Sequence, residues 1–184
     1  MNSSCRKFSV SVRLRELWRD QRGATAVEFA MVGIPFFMFI MAILEIGLVF
    51  FAGTILDHAT HESARLVRTG QAQNSGMDAG TFKQKICENM TSVICSDASR
   101  LHVEVLNFDS FSEAASGTTS VIDPATGEVN TGFQFNTGAR NEIVVVRAVY
   151  EWPMISNWIR DAFQDTADGD RLLVSTSVFK NEPF

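Results

Sequence analysis

Two histidines three positions apart, His58 and His61, flanked by Asp57 and Glu62, come closest in this sequence to a metal-binding array. On a helix that spacing puts both imidazoles on one face, where they could hold a divalent ion. The third histidine, His102, lies far away in sequence, and two imidazoles alone read more simply as a solvated helix face. Nucleophile chemistry is no better supplied. Ser and Asp are plentiful, but the chain holds no Gly-x-Ser-x-Gly elbow, phosphate loop or dinucleotide fingerprint. No catalytic residue, metal site or cofactor is therefore expected. The acidic portion of the chain carries no basic, aromatic-lined surface, so nucleic acid is not an expected partner.

The residues that remain chemically suggestive lie in or beside one hydrophobic segment. Phe29–Ala52, 24 residues, is interrupted by a single charge, Glu45. As a helix it is about 36 Å long, enough to cross a hydrocarbon core of roughly 30 Å with some tilt. A buried helix of a soluble protein would show a polar stripe, and none occurs between Phe29 and Leu44. The run is too long for the apolar core of a cleaved secretory signal, and Gly53, Thr54, Ile55 and Leu56 continue it outward as helix. Ionised at hydrocarbon depth, Glu45 would cost a few kcal/mol, so it should face neighbouring helices or headgroups, or be protonated.

Charge placement sets the orientation. Residues 1–23 carry six basic side chains against two acidic ones, whereas the remainder has ten against nineteen. Basic residues flanking a span are retained on the cytoplasmic side, so an N-terminus inside and an acidic domain outside the membrane are expected.

Ahead of the span runs Asp20-Gln21-Arg22-Gly23-Ala24-Thr25-Ala26-Val27-Glu28-Phe29, a basic leader ending in Gly, then small residues, then Glu-Phe opening a hydrophobic helix. This resembles a type IV prepilin processing site, at which an intramembrane aspartyl prepilin peptidase cuts after the glycine. Glycine suits a scissile position because no side chain obstructs close approach. The resemblance puts cleavage between Gly23 and Ala24. The Glu28-Phe29 pair is similar to that of the Flp/Tad branch, and GATAVEFAMVGIPFFMFIMAILEIG is similar to the N-terminal domain of the TadE/TadG-like family of tight-adherence (type IVc) pilus assembly proteins. Glu62–Ala72 and the terminal Val178–Phe184 also look like that family, whereas Asn74 to about Asp170 matches none of its motifs.

The resemblance implies a minor pilin-like structural component, a pseudopilin, with no enzymatic activity. Its expected partners are the prepilin peptidase, other Tad pilins and pseudopilins, the inner-membrane assembly platform and the lipid bilayer. Glu28, Phe29 and Glu45 are then candidates for helix assembly. Glu28 can pair with the new α-amino group of Ala24, on the same or a neighbouring subunit. Alternatively it simply reaches the interface, favoured by the helix dipole. A rival class, an uncleaved membrane-anchored binding or sensor domain, differs in the mass of its N-terminus.

Removal of the leader would take Cys5 with it and leave Cys87 and Cys95 as an even pair in an oxidising compartment. A disulfide is expected, the alternative being two buried free thiols. The C-x7-C spacing allows it if the chain turns near Val93.

The positioning elements follow from periodicity. We expect a leader over 1–23, a transmembrane and membrane-proximal helix over 24–70, and a periplasmic domain over 71–184. Ile55, Leu56, Ala59, Ala64, Leu66 and Val67 recur at helical spacing, Arg65 and Arg68 suit the last turns, and Gly70 offers a stop. After a polar linker, Gln71–Gly80, an amphipathic helix is predicted over Thr81–Ile94 with Thr81 as N-cap. Strands are predicted over Leu101–Phe108, Glu142–Trp152 and Leu172–Phe179, and a short helix over Ser156–Phe163. Between the first two strands, Ser110–Asn141 reads as a mobile loop or an extra hairpin using Gly132–Phe135, with turn signals at Asp123–Gly127. The fold class is thus α+β: a long N-terminal transmembrane helix continuing into a pilin-like head with a short helix and a small antiparallel sheet.

Overall fold

The structure, a computed structural model, describes residues 23–91, 94–95 and 98–184; Cys5, the leader charges and Val93 lie outside this set. The chain divides into two compact units, Met1–Ile43 and Leu44–Phe184.

In the first unit the described residues form the opening half of helix α1 (Ala24–Arg68), the only described helix long and apolar enough to cross a membrane. Its side chains, Phe29, Met31, Val32 and Ile34 among them, are exposed. Pro35 interrupts its backbone hydrogen bonding without ending the helix, which transmembrane helices tolerate.

In the second unit the rest of α1 is part of a folded core. Ala52, Leu56, Ala59, Thr60, Ser63, Ala64 and Val67 are buried, the i, i+4, i+7 stripe of an amphipathic helix. The stripe is built mostly of small residues, so the helix lies close to what covers it. Thr60 and Ser63 belong to it although they are polar: Thr60 Oγ1 donates to Leu56 O at 2.7 Å, and Ser63 Oγ accepts from Asn89 at 3.2 Å. Leu66, predicted on this face, is only half-buried because it falls beside the stripe.

Helix α1 ends at Arg68, and Gly70 stops it with φ 75°. A Cβ on Gly70 would lie 2.2 Å from the Phe184 ring, so the position needs glycine twice over. Phe184 is there because the C-terminal tail returns to this helix end. Glu182 N donates to Arg68 O at 2.9 Å, its carboxylate meets the Arg68 guanidinium at 3.4 Å, and Asn181 donates to Thr137 O and Ala139 O.

A single turn, α2 (Gln71–Asn74), leads to α3 (Ala79–Asn89). Thr81 was the expected N-cap, but Asp78 holds that place. Its carboxylate accepts from Thr81 N at 2.7 Å, and hydrogen bonding to Thr81 keeps it below the usual carboxylate range. The helix also stops at Asn89 rather than Ile94. Phe82, Ile86 and Met90 join the core beneath α1, and Cys87 and Cys95 are joined by a disulfide with Cα atoms 5.4 Å apart. The bond ties the last turns of α3 to Cys95, three positions ahead of the short 3₁₀ turn Ala98–Arg100 that opens the sheet. Closing a loop of about nine residues contributes roughly 2–3 kcal/mol in the chain-entropy description. Cys87→Ser and Cys95→Ser should therefore lower the thermal midpoint equally, with the double variant no worse than either. Thiol labelling of both cysteines in native, unreduced protein would overturn this.

The sheet has strands β1 (Leu101–Phe108), β2 (Ile143–Pro153) and β3 (Asp170–Lys180), antiparallel in the order β1-β2-β3. Each matches its predicted run to within two residues. Leu101, Val105, Val144, Val146, Ala148, Tyr150 and Leu173 form the face in the main core. The opposite face is covered too, since Ile143–Tyr150 is buried throughout. The cover is the 110–141 excursion. Helical turn α4 (Phe111–Ala114) places Ala114 against Ile143 and Val145. Residues 121–130 close around the Asp123–Gly127 turn through an Ile122–Val129 bridge. The Gly132–Phe135 stretch forms no hairpin; Phe135 makes a single parallel bridge with Val105, along the edge of β1, and its ring packs on Phe82 at 5.5 Å.

Beneath this cover lies a buried ion pair. Glu104 and Arg147 are directly opposite on β1 and β2, 2.5 Å apart, and Arg147 also donates to Thr119 O while its guanidinium lies 5.7 Å from the Phe133 ring.

Candidate membrane and assembly site

Gly23 immediately precedes the first residue of α1, so Ala24 opens the helix. A side chain at position 23 would meet nothing within 4 Å among the described residues, so packing does not demand glycine there. Glu28 and Phe29 lie in the second turn, both exposed. The structure brings no described partner to them.

Glu45 is placed differently. Though it sits in the apolar run, it is 3% exposed. Its Oε1 accepts from Ile155 N at 2.6 Å and Ser156 N at 3.1 Å, and Oε2 lies 3.2 Å from Ser156 N. The chain itself thus supplies donors that the sequence suggested seeking in neighbouring helices or headgroups. The turn is prepared for this role by composition. Pro153 ends β2 and brings no N–H of its own, and Ser156 is the N-cap of α5 (Asn157–Phe163) without using its side chain as a cap. At the other end of α5, Arg171 donates to Phe163 O at 3.2 Å and pairs with Asp165 at 3.0 Å.

Beside this clasp a groove of about 340 Å³ opens, its apolar walls including Val49, Phe50, Met154, Phe163 and Leu173. His58 and His61, the pair weighed for metal binding, lie on the exposed side of α1, with His61 Nδ1 3.2 Å from Ser177 Oγ. His102 is instead paired with Glu151 at 2.6 Å on the sheet.

Ile155 and Ser156 are the functional candidates that sequence reasoning missed. A lone carboxylate in an apolar run signals that donors are needed, but nothing local says they come from 110 residues downstream.

The described residues thus combine one helix long and apolar enough to cross a bilayer with an α+β head whose Ile155–Ser156 turn clasps the helix at Glu45. The segment carrying Gly23, Glu28, Phe29 and Glu45 is matched by a family model: residues 23–65 match the family of TadE-like proteins, the family that the sequence resembles. Comparison with curated proteins and with solved structures gave no match.

Proposed function

We propose that this chain is a minor pilin-like component, a pseudopilin, of Tad-type pilus assembly, matured by a prepilin peptidase between Gly23 and Ala24. The observation that carries this reading is the coincidence of three boundaries. The family match opens at residue 23, helix α1 opens at Ala24, and the charged leader ends just before them. That nothing among the described residues gives Gly23 a packing reason fits a requirement imposed by an enzyme rather than by the fold. On this reading the protein sits in the bacterial inner membrane, leader in the cytoplasm and head in the periplasm. Its other partners are Tad pilins, pseudopilins and the assembly platform, reached through the exposed half of α1 and through Glu28 and Phe29.

Processing is directly measurable. In cells with an active prepilin peptidase, the intact mass of membrane-extracted protein should correspond to a chain beginning at Ala24. Gly23→Phe should leave the full precursor in the membrane. Recovery of an intact Met1 terminus from wild-type cells would instead support an uncleaved anchored domain.

A further inference from the structure

We propose that Pro153–Phe163 is a second membrane-contacting element, lying in the headgroup and acyl-chain boundary of the leaflet on the head's side, so that the protein touches the bilayer at two places. The inference rests on the reading of α1 as membrane-spanning.

Depth is the first argument. Glu45 lies seven residues before Ala52, where the apolar run ends, which is about 10 Å along a helix. The run exceeds the hydrocarbon thickness by about 6 Å. With that excess shared between both ends or placed wholly at this one, Glu45 still lies roughly 4–7 Å inside the boundary, the depth at which interfacial helices bury their apolar face. The backbone of Ile155 and Ser156 is hydrogen-bonded directly to the Glu45 carboxylate, so this turn shares its depth.

Surface chemistry is the second. Ile155 is 66% exposed, Trp158 49% and Phe163 41%, three large apolar side chains within nine residues, whereas the head's other exposed large apolar side chains, Phe111, Val174 and Val178, are spread over two further elements. On α1 at the same level Leu48, Phe50 and Phe51 are also exposed, so the two apolar surfaces belong to one membrane-facing zone. Tryptophan is the residue enriched at that level of a bilayer.

Backbone satisfaction is the third. A turn at the lipid boundary must pair the N–H groups it buries, while those of an open first helical turn, here Asn157 and Trp158, are left to headgroups and water. Pro153 has none to leave, the N–H groups of Ile155 and Ser156 go to Glu45, and Ser156 O accepts from Ile159 and Arg160. The apolar groove between α1 and β3, walled by Phe50, Met154 and Phe163, gives an acyl chain room beside the turn.

The test is depth-dependent quenching of tryptophan fluorescence in the full-length protein, reconstituted into phosphatidylethanolamine and phosphatidylglycerol vesicles carrying brominated acyl chains. The chain has three tryptophans, Trp18, Trp152 and Trp158, so W18F/W152F leaves Trp158 alone. Trp152→Phe removes an indole whose buried Nε1 has no hydrogen-bond partner, so no polar contact is lost. A control with Phe39→Trp in a W18F/W152F/W158F background reports the span itself. Trp158 should lose more emission to bromines near the headgroup end of the acyl chain than to bromines near its methyl end, with the order reversed for the control. A quenched control beside an unquenched Trp158 would overturn the second contact while leaving the span intact; an unquenched control would overturn both. Should W18F/W152F fold poorly, the difference in quenching between wild type and W158F isolates the same tryptophan, and equal quenching of the two would likewise overturn the second contact.

Discussion

Arg147→Met is expected to destabilise the folded head by about 3–5 kcal/mol, because it leaves Glu104 charged and buried without its partner. Glu104→Met should cost a similar amount by stranding the guanidinium. The double variant should be close to wild type, or more stable. The reason lies in how incompletely the pair is satisfied: Glu104 Oε1 and Arg147 Nε are both buried without a hydrogen-bond partner. A buried pair that has lost its hydration and recovered only part of it in hydrogen bonds is a weak source of stability. The surroundings can accept apolar side chains, since Val145 and Val149 flank Arg147 on the same face and are themselves buried. Thermal unfolding of the detergent-solubilised protein and its three variants forms a double-variant cycle. Additive losses would show that the two residues act independently. A double variant as damaged as the singles would mean that the pair, with the Arg147 contact to Thr119 O, anchors the loop cover over the sheet.

That cover marks where sequence reasoning stopped. The three strands were legible because alternation in Leu101–Phe108 and the β-branched runs in the other two are local signals. The long helix, its stop at Gly70 and the short helix before Phe163 were legible for the same reason. The 110–141 excursion was not, because its order comes from contacts with distant residues: Ala114 on Ile143, Thr119 on Arg147, Phe135 on Val105. One signal did exist. Ile143–Val146 is an unbroken apolar run rather than an alternating one, the pattern of a strand covered on both faces. The N-cap of α3 was misplaced at Thr81 because Asp78, a capping residue as good, fell in the stretch read as a polar linker. At the candidate site, Gly23, Glu28 and Glu45 stood out by type and position, whereas the donors to Glu45 come from a turn whose own sequence gives no sign of its destination.

Glu45→Leu is expected to leave membrane insertion intact and to weaken both the folded head and its assembly with partner subunits. Insertion should survive because leucine removes the one charge from the apolar run. The head should suffer because Ile155 N and Ser156 N lose their acceptor. Stranding a buried donor costs about 1–3 kcal/mol, so with two donors the loss is about 2–6 kcal/mol if the turn stays dry. It is less if the turn swings out to water. Either outcome detaches Ile155–Phe163 from α1 and changes the surface that a neighbouring helix would meet. Glu45→Gln separates charge from geometry, because an amide oxygen can still accept from both N–H groups; it should fall between wild type and Glu45→Leu. The readouts are the thermal midpoint of the solubilised protein, protease accessibility of the 154–163 segment, and recovery in a sheared pilus fraction. Equal midpoints and equal recovery for Glu45→Leu and wild type would show that the clasp contributes neither to the head nor to assembly. A lowered midpoint with undiminished recovery would confine Glu45 to holding its own head in place, and leave the exposed first half of α1 as the surface through which subunits meet.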